Sequence, residues 1–276
     1  GLELFTLPSQ TDFLRKYHVM VQQAAEPILI LDGIRKVFGG VVAVDALSLG
    51  IERGSVTSVI GPNGAGKTTV FNMITGFLAP TAGAISYGSR RLNRLKPHDV
   101  ARLGVARTFQ NVRLFPQMSV LENVMVGRHL RSRSGMLFSA CLPPAWRAEE
   151  KRVREDAMDW LSFVGLADHA DAMAGSLPLG SQRMLEIARA LALEPHLLLL
   201  DEPAAGLNSR ETIAMGELIG KIRAEHITVV LVEHDMELVM EISDRVLVIN
   251  FGKLIGDGTP EAIQQDADVI AAYLGE

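Results

Sequence analysis

Cysteine is almost missing from this chain: Cys141 is the only one in 276 residues. A single thiol excludes an intrachain disulfide and fits a reducing compartment. Aromatic residues make up 5% of the chain, too few for the stacking platforms that hold single-stranded nucleic acid. Positive charge is not in excess either. Lys and Arg number 27 against 32 Asp and Glu, for a net charge of −5 and a pI near 5.8, so no nucleic acid partner is expected. No apolar run approaches the roughly 18–20 residues a membrane span needs; Leu197–Leu200 and Val246–Asn250 are strand-sized. The N-terminus lacks the basic, apolar, small-residue order of a signal peptide. A soluble cytoplasmic protein is expected, free to dock on a membrane protein.

What the chain does have is apolar mass. Hydrophobic residues account for 48% and mean hydropathy is +0.20, enough for one large α/β domain plus a smaller lobe. Residues 61–69 read Gly61-Pro62-Asn63-Gly64-Ala65-Gly66-Lys67-Thr68-Thr69, a complete G-x-x-x-x-G-K-[ST] phosphate-binding loop. The β-branched run Ser55–Ile60 before it reads as a buried strand, and Thr69–Ile74 after it as the first turns of a helix. That strand–loop–helix context is what the motif requires. Glycines let the loop curl so that successive N–H groups face a phosphate, with the helix dipole behind them. Lys67 would reach the β- and γ-phosphates, and Thr68 would place its hydroxyl on Mg2+. A nucleoside triphosphate is the expected ligand.

Residues 1–26 show no strong periodicity and read as an N-terminal extension or linker. From Pro27 the pattern sharpens: Ile28–Leu31, Val41–Leu49 and Ser55–Ile60 are strand-like, broken by Gly39-Gly40 and Gly54, with a short strand Ala84–Tyr87 after the turn at 80–83. Residues from about 97 to 177 read as mostly helical with no long strand, including a helical pattern over Glu149–Val164 and an irregular, basic stretch Arg128–Pro144. From Ser181 helices and strands alternate: Gln182–Leu193, Leu197–Leu200, Glu211–Arg223, Thr228–Val232, Asp235–Ile242 and Val246–Ile249. Alternation of this kind predicts an α/β fold with a parallel sheet, and the intervening helical block a separate lobe.

The run Leu197–Leu200 ends in Asp201 and Glu202. Ligands of open α/β sheets lie at the carboxyl ends of the strands, so this pair should emerge beside the phosphate loop. Asp201 is placed to hold Mg2+, directly or through water, and Glu202 to polarise an attacking water as general base. Thr228–Val232 is followed by His234, which at a strand end can bond the γ-phosphate and align water with Glu202. Gln110, in Arg107-Thr108-Phe109-Gln110, reads by itself as any surface amide.

With Lys67, Asp201, Glu202 and His234 in this order, the sequence resembles the ATP-binding cassette (ABC) ATPases over roughly residues 27–275. The resemblance implies a P-loop NTPase fold with a parallel-sheet core, an N-terminal antiparallel β subdomain and a helical lobe at about 97–177. It also assigns roles. Phe38 matches the adenine-stacking aromatic, Gln110 the glutamine that senses Mg2+, water and the membrane partner, and His234 the switch histidine. Leu177-Pro178-Leu179-Gly180-Ser181-Gln182 stands where the family carries its L-S-G-G-Q signature, so Leu177, Gly180 and Ser181 are expected to meet ATP held by an opposite subunit. Pro178 departs from the usual serine and has neither a hydroxyl nor an N–H. A lost charge-assisted hydrogen bond of about 1.5–3 kcal/mol would slow turnover without abolishing it. The Gly180 N–H and the start of the following helix survive to favour phosphate.

Phe38-Gly39-Gly40, the run 202–208, Glu233-His234-Asp235-Met236 and the stretch 268–275 look like one branch, the first ATPase subunit of bacterial branched-chain amino acid importers; the Arg128–Pro144 insertion is similar to it too. That branch implies ATP and Mg2+, and a second ATPase subunit, with a heterodimer favoured and a homodimer possible. It further implies two membrane-spanning permease subunits, an indirectly coupled periplasmic or extracellular binding protein, and a location on the inner face of the cell membrane. Urea or amide importers and the lipopolysaccharide exporter are neighbouring branches. A non-transport ABC ATPase is the alternative of another class, disfavoured because the chain shows neither a second cassette nor a heptad-rich insertion.

Overall fold

The computed structural model describes residues 27–129 and 144–274. The 1–26 extension, and residues 130–143 of the basic insertion, lie outside the described residues. Two sheets carry the chain. Strands β1 (Pro27–Phe38) and β2 (Val41–Glu52) form an antiparallel hairpin; β4 (Ala82–Tyr87) and the two-residue β5 (Arg90–Arg91) complete a sheet in the order β2-β1-β4-β5. Gly39 and Gly40, at φ +50° and +93°, make the two-residue turn that joins Phe38 to its partner Val41. Only a residue pair tolerant of positive φ closes a hairpin this tightly.

The second sheet has the order β10-β9-β3-β8-β7-β6, with β3 (Val56–Ile60), β6 (Val105–Arg107), β7 (Leu197–Asp201), β8 (Thr228–Val232) and β9 (Arg245–Asn250) parallel, and β10 (Lys253–Gly258) antiparallel at one edge. Every residue of β3, β7 and β8 is buried. Burial along the whole strand is what parallel strands show when helices cover both faces. Successive side chains point to opposite faces of a strand, and β7 shows it. Leu197 and Leu199 join a cluster with Val44, Phe71, Met73 and Val230; Leu198 and Leu200 join another with Ile187, Met215, Ile219 and Leu231.

The first cluster is packed around helix α1 (Lys67–Ile74), which places apolar residues against both sheets. Helices α5 (Leu179–Leu191) and α6 (Ser209–Ala224) cover the other face of the parallel sheet. A third cluster gathers Val120, Leu121 and Val124 of α3 (Val120–His129), Ala157 and Leu161 of α4 (Pro144–Phe163), and Leu185 and Ala188 of α5. Helix α5 thus serves two cores with two faces. The short α2 (Pro97–Arg102), α7 (Met236–Ile242), α8 (Pro260–Gln264) and α9 (Ala267–Leu274) complete the described helices.

Within 97–177, Val105–Arg107 forms β6 and pairs with β7 as the edge of the main sheet. Three residues are too few for strand periodicity to register in a sequence. The helix expected from Gln182 begins at Leu179. Strand β10 went unread because Gly256 and Gly258 give it the composition of a turn.

Leu198 is fully buried, so Leu198→Ala should lower the unfolding free energy by about 2–5 kcal/mol. Gly220, inside α6, has open space where a Cβ would be, and Gly220→Ala should raise it by about 0.5–1 kcal/mol. Urea midpoints measure both; a Leu198→Ala protein as stable as the parent would contradict the two-faced packing of β7.

Candidate nucleotide site

Parallel strands leave a sheet by one edge. The loops after β3, β6, β7 and β8 therefore converge, and these four strands are neighbours in the order β3-β8-β7-β6. After β3 the chain turns through Gly61 at φ +147°, where a Cβ would lie 1.9 Å from the Ile249 carbonyl oxygen. No other residue fits between the loop and β9. The loop closes on itself through the Ala65 N–H donating to the Pro62 carbonyl at 3.2 Å. Helix α1 then starts from Gly66, with no side-chain cap and no acidic residue in its first turn. Its first N–H groups have no intrahelical acceptor, unlike α6 and α7, whose starts are capped by Asn208 and Asp235. The residues carrying those groups line a cavity of about 260 Å³.

Lys67 is 6% exposed and donates from Nζ to the carbonyls of Gly61 at 2.5 Å and Pro62 at 2.9 Å. It lines the cavity with Ala43, Asn63, Gly64, Ala65, Gly66, Thr68 and Thr69. Gln110, Glu202 and His234 line it from the other strand ends. Glu202 takes φ +51°, a left-handed conformation costing about 1–2 kcal/mol, and its N–H is held by the Val232 carbonyl at 2.9 Å. The turn aims its carboxylate at two partners: Oε2 accepts from Gln110 Nε2 at 2.8 Å, and Oε1 lies 3.0 Å from His234 Nε2. Strain held in place by its surroundings is typical of working sites.

Beneath these groups lie two charged side chains that sequence reading passed over. Glu233 is 4% exposed; its Oε1 accepts the Ala204 N–H at 2.7 Å and its Oε2 the His234 N–H at 2.9 Å. Burial pushes the Glu233 carboxyl above the usual carboxylate range, opposed by the donated N–H groups and reinforced by the Glu202 charge. One buried carboxyl thereby ties the turn after Glu202 to the backbone of His234. Arg107, at the end of β6, donates from Nη2 to Asp201 Oδ2 at 2.7 Å. Nothing in the sequence near either residue marks it, because both partners arrive from distant strands.

Asp201 is buried, one residue before Glu202, and is not among the cavity-lining residues. Phe38 is 44% exposed at the hairpin end, with Lys36 Nζ 5.1 Å from its ring centre, and does not line the cavity. Neither do Leu177, Gly180 and Ser181. Leu177 is buried in the third cluster, and Gly180 packs so closely on Glu211 that a Cβ would lie 2.6 Å from its Oε1. The helix after them does reach the site's loops: Arg183 donates to the carbonyls of Phe109 at 3.3 Å and Ala205 at 3.4 Å, and Glu186 accepts the Arg113 N–H at 3.2 Å.

The cavity's chemistry suits a phosphate ester. Uncapped N–H groups and an ammonium meet anionic oxygens; of the hard oxygen donors Mg2+ takes, the Thr68 hydroxyl and Gln110 amide oxygen lie at the cavity, and the Asp201 carboxylate is buried one residue before the cavity-lining Glu202. A larger apolar groove of about 520 Å³ runs between α7, α8 and α9. Its lining of Ile60, Met236, Met240, Ile263, Val269 and Tyr273 offers no cation for a phosphate. No helix among the described residues is long and apolar enough to cross a membrane.

Known proteins resemble this chain in sequence and in fold. The family model for ABC transporters matches residues 44–205, and one for branched-chain amino acid ATP-binding cassette transporters matches residues 253–276. The chain is 50% identical over 253 residues to the high-affinity branched-chain amino acid transport ATP-binding protein BraF of Pseudomonas aeruginosa, covering 91% of this chain and 99% of that one. It is 46% identical over 253 residues to LivG of Escherichia coli strain K12, with the same coverage. A nucleotide-free ATP-binding cassette from an ABC transporter superposes with a TM-score of 0.80 at 31% identity, covering 91% of this chain and 100% of that chain.

Gly61→Ala should abolish measurable binding of a fluorescent ATP analogue, because the added methyl group must displace the β9 backbone or the loop. An affinity equal to the parent's would contradict the geometry of this turn.

Proposed function

This chain belongs to the ABC transporter ATP-binding family, and from that premise we propose that it hydrolyses ATP to drive import of branched-chain amino acids. The observation that carries the catalytic part is the Glu202 carboxylate, held between Gln110 and His234 at the mouth of the phosphate loop. The cargo follows from the names of relatives that are 46–50% identical over nine-tenths of the chain.

The loop N–H groups and Lys67 bind the phosphates of ATP, and Lys67 exchanges its carbonyl acceptors for phosphate oxygens. Thr68, Asp201 and Gln110 are the residues that would hold Mg2+. When bound, the ion neutralises charge on the β- and γ-phosphates. Glu202 takes a proton from the attacking water. His234, on the opposite carboxylate oxygen, fixes the direction of the general base and supplies a polar contact toward the γ-phosphate. Phe38 offers an exposed aromatic face for the adenine.

A second ATPase chain is needed because Leu177, Gly180 and Ser181 lie apart from this cavity; they serve the ATP of the partner, and the partner's equivalent segment serves this one. A heterodimer of two related ATPase subunits is the favoured assembly. ATP closes the pair and hydrolysis reopens it. Helix α5, bonded to the Phe109 and Arg113 backbones on either side of Gln110, carries that motion toward two membrane-spanning permease subunits. The chain works on the inner face of the membrane and never touches the amino acid, which a separate binding protein delivers.

Glu202→Gln should keep nucleotide affinity, since an amide can still accept from Gln110 and donate to His234. It should cut hydrolysis by about 10²–10⁴-fold, the usual share of general-base catalysis. Rates within twofold of the parent would sink the assignment. Lys67→Ala should instead lose nucleotide affinity. The cargo is tested in proteoliposomes containing this chain, its partner ATPase, both permeases and the binding protein. ATP-dependent uptake of leucine, isoleucine or valine, abolished by Glu202→Gln, is expected; uptake of urea or an amide instead would overturn it.

A further inference from the structure

Arg107 is a buried guanidinium that none of these steps uses. Its side chain is 6% exposed, and the Asp201 side chain it pairs with is 4% exposed. Nη2 donates to Asp201 Oδ2 at 2.7 Å; Nη1 donates to Asn72 Oδ1 at 2.7 Å and lies 3.4 Å from Thr75 Oγ1. The Phe109 and Phe71 ring centres lie 5.1 Å and 5.5 Å from the guanidinium carbon. Withdrawing this charge from water is unfavourable unless partners replace the lost hydration. Arg107 has a carboxylate, an amide oxygen and two aromatic faces, while its Nε has no hydrogen-bond partner among the described residues.

The two hydrogen-bonded ends matter. Asn72 is four residues after Thr68 on α1, so the two share one face of that helix. Asp201 ends β7. We infer that Arg107 is a positioning residue for the Mg2+–nucleotide site, clamping the Asp201 carboxylate to the helix that carries Thr68. One arm of its fork, Nη2, holds Asp201 Oδ2 and sets the carboxylate's tilt, while the other, Nη1, holds Asn72, so that the two together fix the distance between β7 and α1. Lysine would keep the charge but not the fork, because a single ammonium nitrogen must do what two guanidinium nitrogens do here. Arg107 lies three residues before Gln110, and Phe109 between them stacks on it, so a shift of the Gln110 segment reaches Asp201 through one side chain.

This role presupposes that Asp201 and Thr68 hold the ion, and the test separates the two ideas. Binding of a non-hydrolysable ATP analogue is measured by calorimetry with excess Mg2+ and again with EDTA, for the parent, Arg107→Lys and Asn72→Ala. The parent should bind more tightly with Mg2+. Arg107→Lys should lose about 10-fold or more of that Mg2+-dependent gain, the usual cost of removing a group that orients a metal ligand, while its affinity in EDTA stays that of the parent. Asn72→Ala, which leaves the Asp201 pair intact, should show a smaller loss of the same kind, and decides the matter alone if Arg107→Lys fails to fold. An undiminished Mg2+ gain in the variants overturns the inference, and so does an equal loss with and without Mg2+, which marks a merely structural role. A parent that gains nothing from Mg2+ removes the premise about Asp201 and Thr68, and the inference with it.

Discussion

The parallel register of β3, β8, β7 and β6 is the constraint on which everything else depends. Neighbouring strands in a sheet lie roughly 4.8 Å apart, so four consecutive carboxyl ends present their loops within one short stretch of edge. The phosphate loop follows β3, His234 follows β8, Glu202 follows β7 and Gln110 follows β6. Groups separated by up to 173 positions in the chain meet because the sheet orders its strands this way. The price is that each loop must be held rigidly at a solvent-facing edge. Buried polar side chains do that: Glu233 joins the turns after β7 and β8, and Arg107 joins β6, β7 and α1.

Helix α5 supplies the second level of organisation. One face packs on the sheet with Ile187 and Leu191, and another packs on α3 and α4 with Leu185 and Ala188. Its polar residues Arg183 and Glu186 grip the backbone around Gln110. Burial pushes the Glu186 carboxyl upward, while the Arg113 N–H and the nearby Arg189 hold it down. A helix bonded to the loop of one strand and packed on two cores can transmit displacement as a unit, because packed interiors do not deform smoothly.

The phosphate loop and the buried strands β3, β7 and β8 were legible from sequence because each is a dense local pattern. A nine-residue motif needs no knowledge of the rest of the chain, and the four consecutive apolar residues of β7 and of β8 leave little choice of environment. Thr228–Val232 is found where the pattern puts it. His234 and Glu202 were legible through their places at strand ends, and Gln110 only through family resemblance. Arg107 and Glu233 were silent for a physical reason. Their partners, Asp201 and Asn72 for one and the Ala204 and His234 N–H groups for the other, are set by tertiary contacts and leave no spacing to read. Strand β6 was hidden by its length and β10 by its glycines.

The central claim is that one chain carries a hydrolytic cluster but only half of each ATP site. The ATPase rate per chain, measured against the concentration of the purified chain and then with its partner ATPase added, tests this most directly. This rate per chain should be negligible at low concentration, rise with concentration, and increase sharply with the partner. A substantial rate per chain that is constant on dilution would contradict the shared site, whatever the identity of the cargo.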